Sequence, residues 1–262
     1  DPIHYLISLG GKRIRPILAL AACEAEGGQL EAAMPVAMAV ELFHNFTLMH
    51  DDIMDEAPLR RGRPTVHTKW SENVAILSGD VMYTLAMTAL EGTPPSALKG
   101  VLRQFNETSK EVCEGQQSDM AFEVRDNVTV DEYLKMIRLK TSVLLAASAA
   151  MGASAAGASP ERVAAWYQYG VNVGLAFQIQ DDFLDTFGES DSTGKQVGGD
   201  ILSDKKTLLW LTTQAHPAGR EALAPWLGIH PASGSEQGEA KISAVRAAMI
   251  ATGADAEAQR RM

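Results

Sequence analysis

The sequence predicts an all-α protein, and three observations carry that expectation. Residues suited to a buried face recur at helical spacing, as in Val36, Val40, Phe43 and Thr47 ahead of Met54, and in Leu134, Ile137, Thr141, Leu144 and Leu145. Alternating β-branched runs are missing, so a parallel sheet with crossover helices has little support. Breakers fall between the periodic stretches at Gly27-Gly28, Ala57-Pro58, Gly62-Arg63-Pro64, Gly92 to Pro95, Ser159-Pro160, Gly188 to Gly199 and Pro217 to Gly238. About eight helices result, with no internal repeat.

The first long helix runs from about 32 to 56 and has to stop before Pro58, because proline donates no ladder hydrogen bond and restricts the residue ahead of it. A later one, about 160 to 187, opens with Ser159 as a cap and Pro160 at the first helical position, and ends before Gly188.

At 262 residues and 46% apolar content the chain can bury one substantial core, and a single domain over 1–262 is expected, with some terminal residues absent. The net charge of -10 argues against a nucleic-acid partner, which would need a surplus of cations on one face. Cys23 and Cys113 lack metal-ligand spacing and read as buried thiols, in keeping with a reducing cytoplasm. No run of about 18 uncharged apolar residues occurs, so stable membrane insertion is not expected.

Two acidic clusters stand out. His50-Asp51-Asp52-Ile53-Met54-Asp55 lies near the end of the first long helix, and Gln180-Asp181-Asp182-Phe183-Leu184-Asp185 near the end of the later one; each reads DDxxD. At 100° per residue, Asp51 and Asp55 lie about 40° apart on one face with roughly 6 Å of rise between them, and Asp181 and Asp185 repeat this. Like charges so placed at a helix C-terminus repel one another and oppose the dipole. Mg²⁺ would relieve both, since it prefers carboxylate and water oxygens and shares its remaining positions with substrate phosphates. Two facing clusters would form a metal-bridged diphosphate clamp.

Cations answer the carboxylates. Gly10-Gly11-Lys12-Arg13-Ile14-Arg15-Pro16 concentrates three of them in an acidic chain, with Lys12 and Arg15 expected on one helical face at i,i+3. A second diphosphate site there would use the arginine fork and the lysine point charge. Arg60-Arg61-Gly62-Arg63 follows the first cluster within ten residues. Lys140-Thr141 sits mid-helix, where a lysine is costly without a partner. Gly194-Lys195 and Lys205-Lys206 follow the second cluster on a segment that could act as a mobile lid. Gly188 to Lys195 only mimics a nucleotide-binding loop: it has five residues between its glycines, Gln196 where Ser or Thr is needed, and a helix ahead of it instead of a strand.

In this order, GGKRIRP, DDIMD, RRG, Lys140-Thr141, QDDFLD and GKQVGGD resemble the trans-prenyl diphosphate synthases, the farnesyl and geranylgeranyl diphosphate synthase family, over residues 10 to 206. The resemblance implies an antiparallel helical bundle around a central substrate cavity, usually homodimeric. It implies that Lys12, Arg15 and His44 bind isopentenyl diphosphate with help from Arg61, while Arg60 faces an allylic diphosphate. It further implies that Asp51, Asp52, Asp55, Asp181, Asp182 and Asp185 carry about three Mg²⁺ ions, with Mn²⁺ as a substitute. Lys140, Lys195 and Lys205 resemble the allylic diphosphate's cationic partners, Thr141 and Gln178 the pair beside the developing cation, and Gln116 and Asp119 a polar surrounding shell. Phe46 and Thr47, five and four residues before Asp51, correspond to the family's chain-length floor and favour a twenty-carbon product over a fifteen-carbon one. Three other readings compete. A metal phosphohydrolase using His50-Asp51 leaves the second DDxxD unexplained, a class I terpene cyclase needs no second diphosphate site, and a regulatory subunit would lack an aspartate cluster.

Overall fold

The computed structural model describes residues 1–188 and 198–262, which form two compact units. The first comprises Asp1–Ser109 and Leu144–Gly170; the second comprises Lys110–Val143 and Val171–Met262. As expected, the described residues are predominantly helical, and both motif helices fall close to their predicted bounds, at Leu30–Met54 and Pro160–Phe187. The latter is capped as anticipated, with the Arg162 amide donating to Ser159 Oγ at 3.4 Å.

The first unit packs Pro2–Ser8, Leu30–Met54, Val66–Lys69 and Glu72–Leu90 around Leu6, Met49, Val66, Ala75 and Met82, while Ile14–Ala25 packs through Ala22 with Ala149 and Ala153 and through Cys23 with Ala33 and Ala155. A second cluster joins Phe43, Phe46, Tyr83 and Phe105, with ring centroids 5.3 to 6.3 Å apart. The second unit centres on fully buried Trp210 and Tyr133 with Ile201, Leu208, Val245 and Met249, contributed by Val130–Ile137, Gly199–Leu202, Leu208–Ala215 and Glu236–Ala251. Thr129 and Glu132 form a reciprocal capping box at the start of Val130–Ile137.

Several local expectations change. Lys12 and Arg15 do not share a helical face: the helix begins only at Ile14, because Gly10 and Gly11 have positive φ and Arg13 is itself left-handed at φ 51°. The breaker at Gly62-Arg63-Pro64 falls within a hairpin. Leu59–Arg60 and Arg63–Pro64 pair antiparallel, and Arg61 (φ 52°) and Gly62 (φ 73°) supply the two left-handed residues of a tight hairpin turn. The breaker-rich stretch after Pro217 contains the helix Pro217–Leu223, started by its proline. Cys23 is buried but Cys113 is exposed, one position past inward-facing Val112.

By length and composition, three helical stretches, Leu30–Met54, Glu72–Leu90 and Val130–Ala155, are apolar enough to cross a membrane. Each contains charged residues, such as Glu41, Asp80 and Lys140, so none forms the uncharged run sought in the sequence. The most apolar window of Val130–Ala155 is 89% buried inside the protein, whereas that of Glu72–Leu90 is 28% buried.

Candidate active site

In the first unit, the residues around DDIMD divide by face. Asp52 is buried and receives a forked ion pair from Arg60, with Nε 2.9 Å from each carboxylate oxygen and Nη2 2.8 Å from Oδ1. The hairpin therefore fixes Arg60 at the end of the aspartate helix. Asp51 is half-buried and Asp55, the C-terminal cap, is exposed. His50 points elsewhere. Its Nε2 hydrogen-bonds the Ile76 carbonyl at 3.1 Å, in space left by Gly79, where any Cβ would come within 2.3 Å of that nitrogen. A ring nitrogen facing a carbonyl has to donate, so Nε2 is unavailable to a metal and the phosphohydrolase reading loses its dyad.

The basic elements of this unit converge. Arg61 donates to the Gly10 carbonyl, and Arg13 donates to Glu41 and to the Ile7 carbonyl at 2.7 Å. Arg15 lies in the first turn of its helix with a buried Nε that has no hydrogen-bond partner, and burial lowers its pKa to about 10. His44 is held neutral, well below the usual imidazole range, by burial and by the charges of Arg15, Arg60, Arg61 and Arg13. A buried donor lacking an acceptor, among four guanidinium groups of which only Arg13 and Arg60 have a carboxylate partner among the described residues, Glu41 and Asp52, describes a place that gains free energy when an anion enters. Lys12 is exposed beside it on the glycine turn. Phe46 packs on His50 at 4.7 Å and on Tyr83 at 5.6 Å, and Thr47 donates to the His44 carbonyl at 2.8 Å.

The second unit repeats the division of its motif. Asp182 is buried, accepting from Tyr133 Oη and from Gln178 Nε2 at 3.0 Å, while Asp181 and Asp185 are partly exposed. Burial pushes the Asp182 carboxyl up to about 6, with Lys205 opposing and Asp200 adding to the rise. Thr141 Oγ1 lies 3.0 Å from Gln178 Oε1, so Thr141, Gln178, Asp182 and Tyr133 form one network. Lys140 Nζ is paired with Asp119 Oδ2 at 2.5 Å, which supplies the partner its mid-helix position demands. Lys205 is paired with Asp200 at 3.4 Å. Burial works against its charge, but Asp200, Asp182 and Asp119 outweigh burial and hold the ammonium above the ordinary lysine range. Lys195 and the rest of residues 189–197 lie outside the described residues.

Lys140 and Thr141 owe their placement to a break in helical geometry. Arg138–Ser142 forms a single π-helical turn between Val130–Ile137 and Val143–Ala155. Such turns recur at functional sites, since the extra residue re-aims neighbouring side chains. Two glycines on adjacent helices accommodate it: a Cβ at Gly115 would lie 2.3 Å from the Lys140 amide nitrogen, and one at Gly174 would lie 2.5 Å from Ser142 Cα.

Among the described residues no group of three or more His, Cys, Asp or Glu side chains is already gathered as a metal site. The donors nonetheless suit Mg²⁺. Each motif has two at least partly exposed carboxylates, Asp51 and Asp55 in one and Asp181 and Asp185 in the other, with Asp185 Oδ1 also accepting from the Asp200 amide; all are hard oxygen donors, and Mg²⁺ usually takes only one or two from the protein, completing its shell with water and phosphate. Asp52 and Asp182, expected as ligands, are engaged by Arg60 and by Tyr133 with Gln178. Tyr133 and Asp200 were not anticipated from the sequence; only the spacing of Tyr133 on an inward helical face hinted at burial.

A family model described as polyprenyl synthetase matches residues 1–249. The chain belongs to the polyprenyl synthetase family. It is 47% identical over 209 residues to a geranylgeranyl diphosphate synthase of Methanosarcina mazei, covering 79% of this chain and 64% of that protein. It is 45% identical over 219 residues to a (2E,6E)-farnesyl diphosphate synthase of Mycobacterium tuberculosis, covering 83% of this chain and 61% of that protein. The chain thus spans less than two thirds of the length of these two relatives. A crystal structure of a geranylgeranyl pyrophosphate synthase superposes with a TM-score of 0.95 at 45% identity, covering 100% of this chain and 80% of that one. The fold is the all-α isoprenoid synthase fold of the family.

Proposed function

We propose that this member of the family is a Mg²⁺-dependent short-chain prenyltransferase that condenses isopentenyl diphosphate with dimethylallyl, geranyl or farnesyl diphosphate. The observation that carries the reading is the anion-ready group in the first unit, where the buried Arg15 Nε lacks an acceptor and burial, helped by four arginines, keeps His44 neutral. That group suits isopentenyl diphosphate, with Lys12, Arg15, His44 and Arg61 as its partners. Arg60, Lys140, Lys195 and Lys205 are assigned to the allylic diphosphate. Asp51, Asp55, Asp181 and Asp185 are the proposed metal carboxylates; Asp52 and Asp182 would join them only on release from Arg60 and from Tyr133 and Gln178. About three Mg²⁺ ions, or Mn²⁺ in their place, would supply neutralisation of the charge that collects on the departing diphosphate.

The chain's own groups do the rest. Lys140 and Lys205 hold the leaving diphosphate as the allylic C1–O bond breaks, and the oxygens of Thr141 and Gln178 face the allylic cation left behind. The isopentenyl double bond supplies the electron pair for the new carbon–carbon bond to C1. The resulting tertiary cation then loses a proton from its C2 to the released diphosphate, restoring a double bond. With one aromatic at the floor position, Phe46, a twenty-carbon product is favoured over a fifteen-carbon one. Leu77, Val81 and Leu85 form an exposed i,i+4 stripe on Glu72–Leu90, the kind of apolar face that a second copy covers, and a cytoplasmic homodimer fits it.

Asp51→Ala and Asp181→Ala test the metal assignment. Turnover with Mg²⁺ should fall by several orders of magnitude while helix content by circular dichroism is kept; near-normal turnover in either variant would refute the assignment.

A further inference from the structure

Lys241 is the one fully buried charged side chain with 0% exposure among the described residues, and nothing in the reaction above uses it. It lies on Glu236–Ala251, and each of its three ammonium protons has an acceptor: Asp204 Oδ1 at 2.6 Å, the Ile229 carbonyl at 2.7 Å and the Leu202 carbonyl at 3.3 Å. A lysine bears such burial only when fully satisfied, so this ammonium is committed to one geometry. Asp204 is itself buried, accepts from the Gly228 amide at 2.8 Å through Oδ2, and has the left-handed φ of 54° that a non-glycine residue rarely adopts. The next residue is Lys205.

The same helix pins the other end of the segment. Ile242 fills the space beside Gly198, where a Cβ would lie 2.7 Å from Ile242 Cδ1. Between these two anchors, Gly198 donates to the Asp185 carbonyl at 2.7 Å, the Asp200 amide donates to Asp185 Oδ1 at 2.9 Å, and the Lys205 amide donates to the Asp200 carbonyl at 2.9 Å. Segment 198–205 thus joins the second aspartate motif to Lys205, and Lys241-Ile242 fixes where it starts and where it turns.

We infer that Lys241, through Asp204, is a positioning residue that sets Lys205 for the allylic diphosphate. This rests on the assignment of Lys205 given above. Holding the turn in one fixed conformation before substrate arrives spares the site the ordering of a flexible lysine on binding. A solely structural ion pair would affect stability alone; a positioning pair also affects one substrate selectively.

The test uses Lys241→Met, the double variant Lys241→Met/Asp204→Asn, and Lys205→Ala alone and combined with Lys241→Met. The readouts are thermal midpoint, the Kd of an unreactive allylic thiolodiphosphate by calorimetry, and KM for isopentenyl diphosphate. The Lys241→Met single variant leaves Asp204 buried and unpaired, and if it fails to fold, the double variant carries the test because Asn needs no counter-charge. The inference predicts that the double variant regains most of the lost thermal stability yet binds the allylic analogue at least tenfold more weakly, with KM for isopentenyl diphosphate changed less than twofold. Adding Lys241→Met to Lys205→Ala should then weaken the analogue no further. Wild-type analogue affinity in the double variant, beside weakened binding by Lys205→Ala, would overturn the inference alone. Unchanged binding by Lys205→Ala would overturn both the assignment of Lys205 and the inference built on it.

Discussion

Gly115→Ala is a one-carbon change whose consequence can be worked from distances. The added Cβ would sit 2.3 Å from the Lys140 amide nitrogen and 2.7 Å from Lys140 Cα, against a closest normal approach of 3.0 Å, so the two backbones have to part by at least 0.7 Å. The atoms in the way are main chain, which cannot swing aside as a side-chain tip can. Overpacking of this kind costs about 1–3 kcal/mol, or roughly 2–4 °C of thermal midpoint per kcal/mol for a domain of this size. The displaced residue carries the proposed diphosphate cation, and a misplacement near 1 Å at a reacting centre costs on the order of 10²-fold in rate. Steady-state turnover and a thermal melt on Gly115→Ala measure both effects. Gly100→Ala, on the same helix with nothing within 4 Å of its Cβ, is the control; it should be neutral or stabilising by up to about 1 kcal/mol. Wild-type turnover and midpoint in Gly115→Ala would refute the close approach of this helix to the π-turn and the reason given for Lys140's placement.

Three further outcomes are expected. Phe46→Ala removes a ring roughly 7.5 Å along the helix from Asp51 and opens the wall toward Phe43, Tyr83 and Phe105, so chromatography of dephosphorylated products should show at least one more isoprene unit, with less stability lost than for a fully buried ring because Phe46 is only partly buried; an unchanged length with activity retained would place the floor elsewhere. Arg15→Ala and Lys12→Ala should raise KM for isopentenyl diphosphate well above any change for the allylic substrate, and equal effects on both would break the site assignment. His44 is neutral in the folded state, so below its unfolded pKa of about 6.5 the unfolded chain binds a proton that the folded one does not; its contribution to stability is complete above that pH and declines as pH falls, by at most about 1.4 kcal/mol per unit. Thermal midpoints at pH 7.5 and 5.5 should therefore drop further for wild type than for His44→Gln, and parallel drops would contradict the neutral imidazole.

What the sequence made legible is what helical period and end signals govern. Ser159-Pro160 located one motif helix and Pro58 bounded the other, but the spacing did not reveal that Asp52, grouped with Asp51 and Asp55 as a metal ligand, is buried against Arg60. The pairing of Thr141 with Gln178 was expected from family likeness and is present at 3.0 Å. Two failures have local causes. Arg13 and Arg61 adopt left-handed backbone that arginine itself does not signal, which delayed the start of the helix past Lys12 and turned RRGR into a hairpin. Other misses are tertiary: Tyr133 meets Asp182 across 49 residues and Lys241 meets Asp204 across 37, and no local pattern encodes either contact. The π-turn at Lys140 is likewise a packing outcome, made possible by Gly115 and Gly174 on other helices.

The central claim is that the two diphosphate-handling regions serve one condensation. It is tested most directly by incubating the chain with Mg²⁺, isopentenyl diphosphate and each of dimethylallyl, geranyl and farnesyl diphosphate, measuring diphosphate release and sizing the product. The account predicts release that requires both substrates and a product one or more isoprene units longer than the primer, ending at twenty carbons. Diphosphate release from an allylic substrate alone, with a cyclised or hydrolysed product and no dependence on isopentenyl diphosphate, would contradict it.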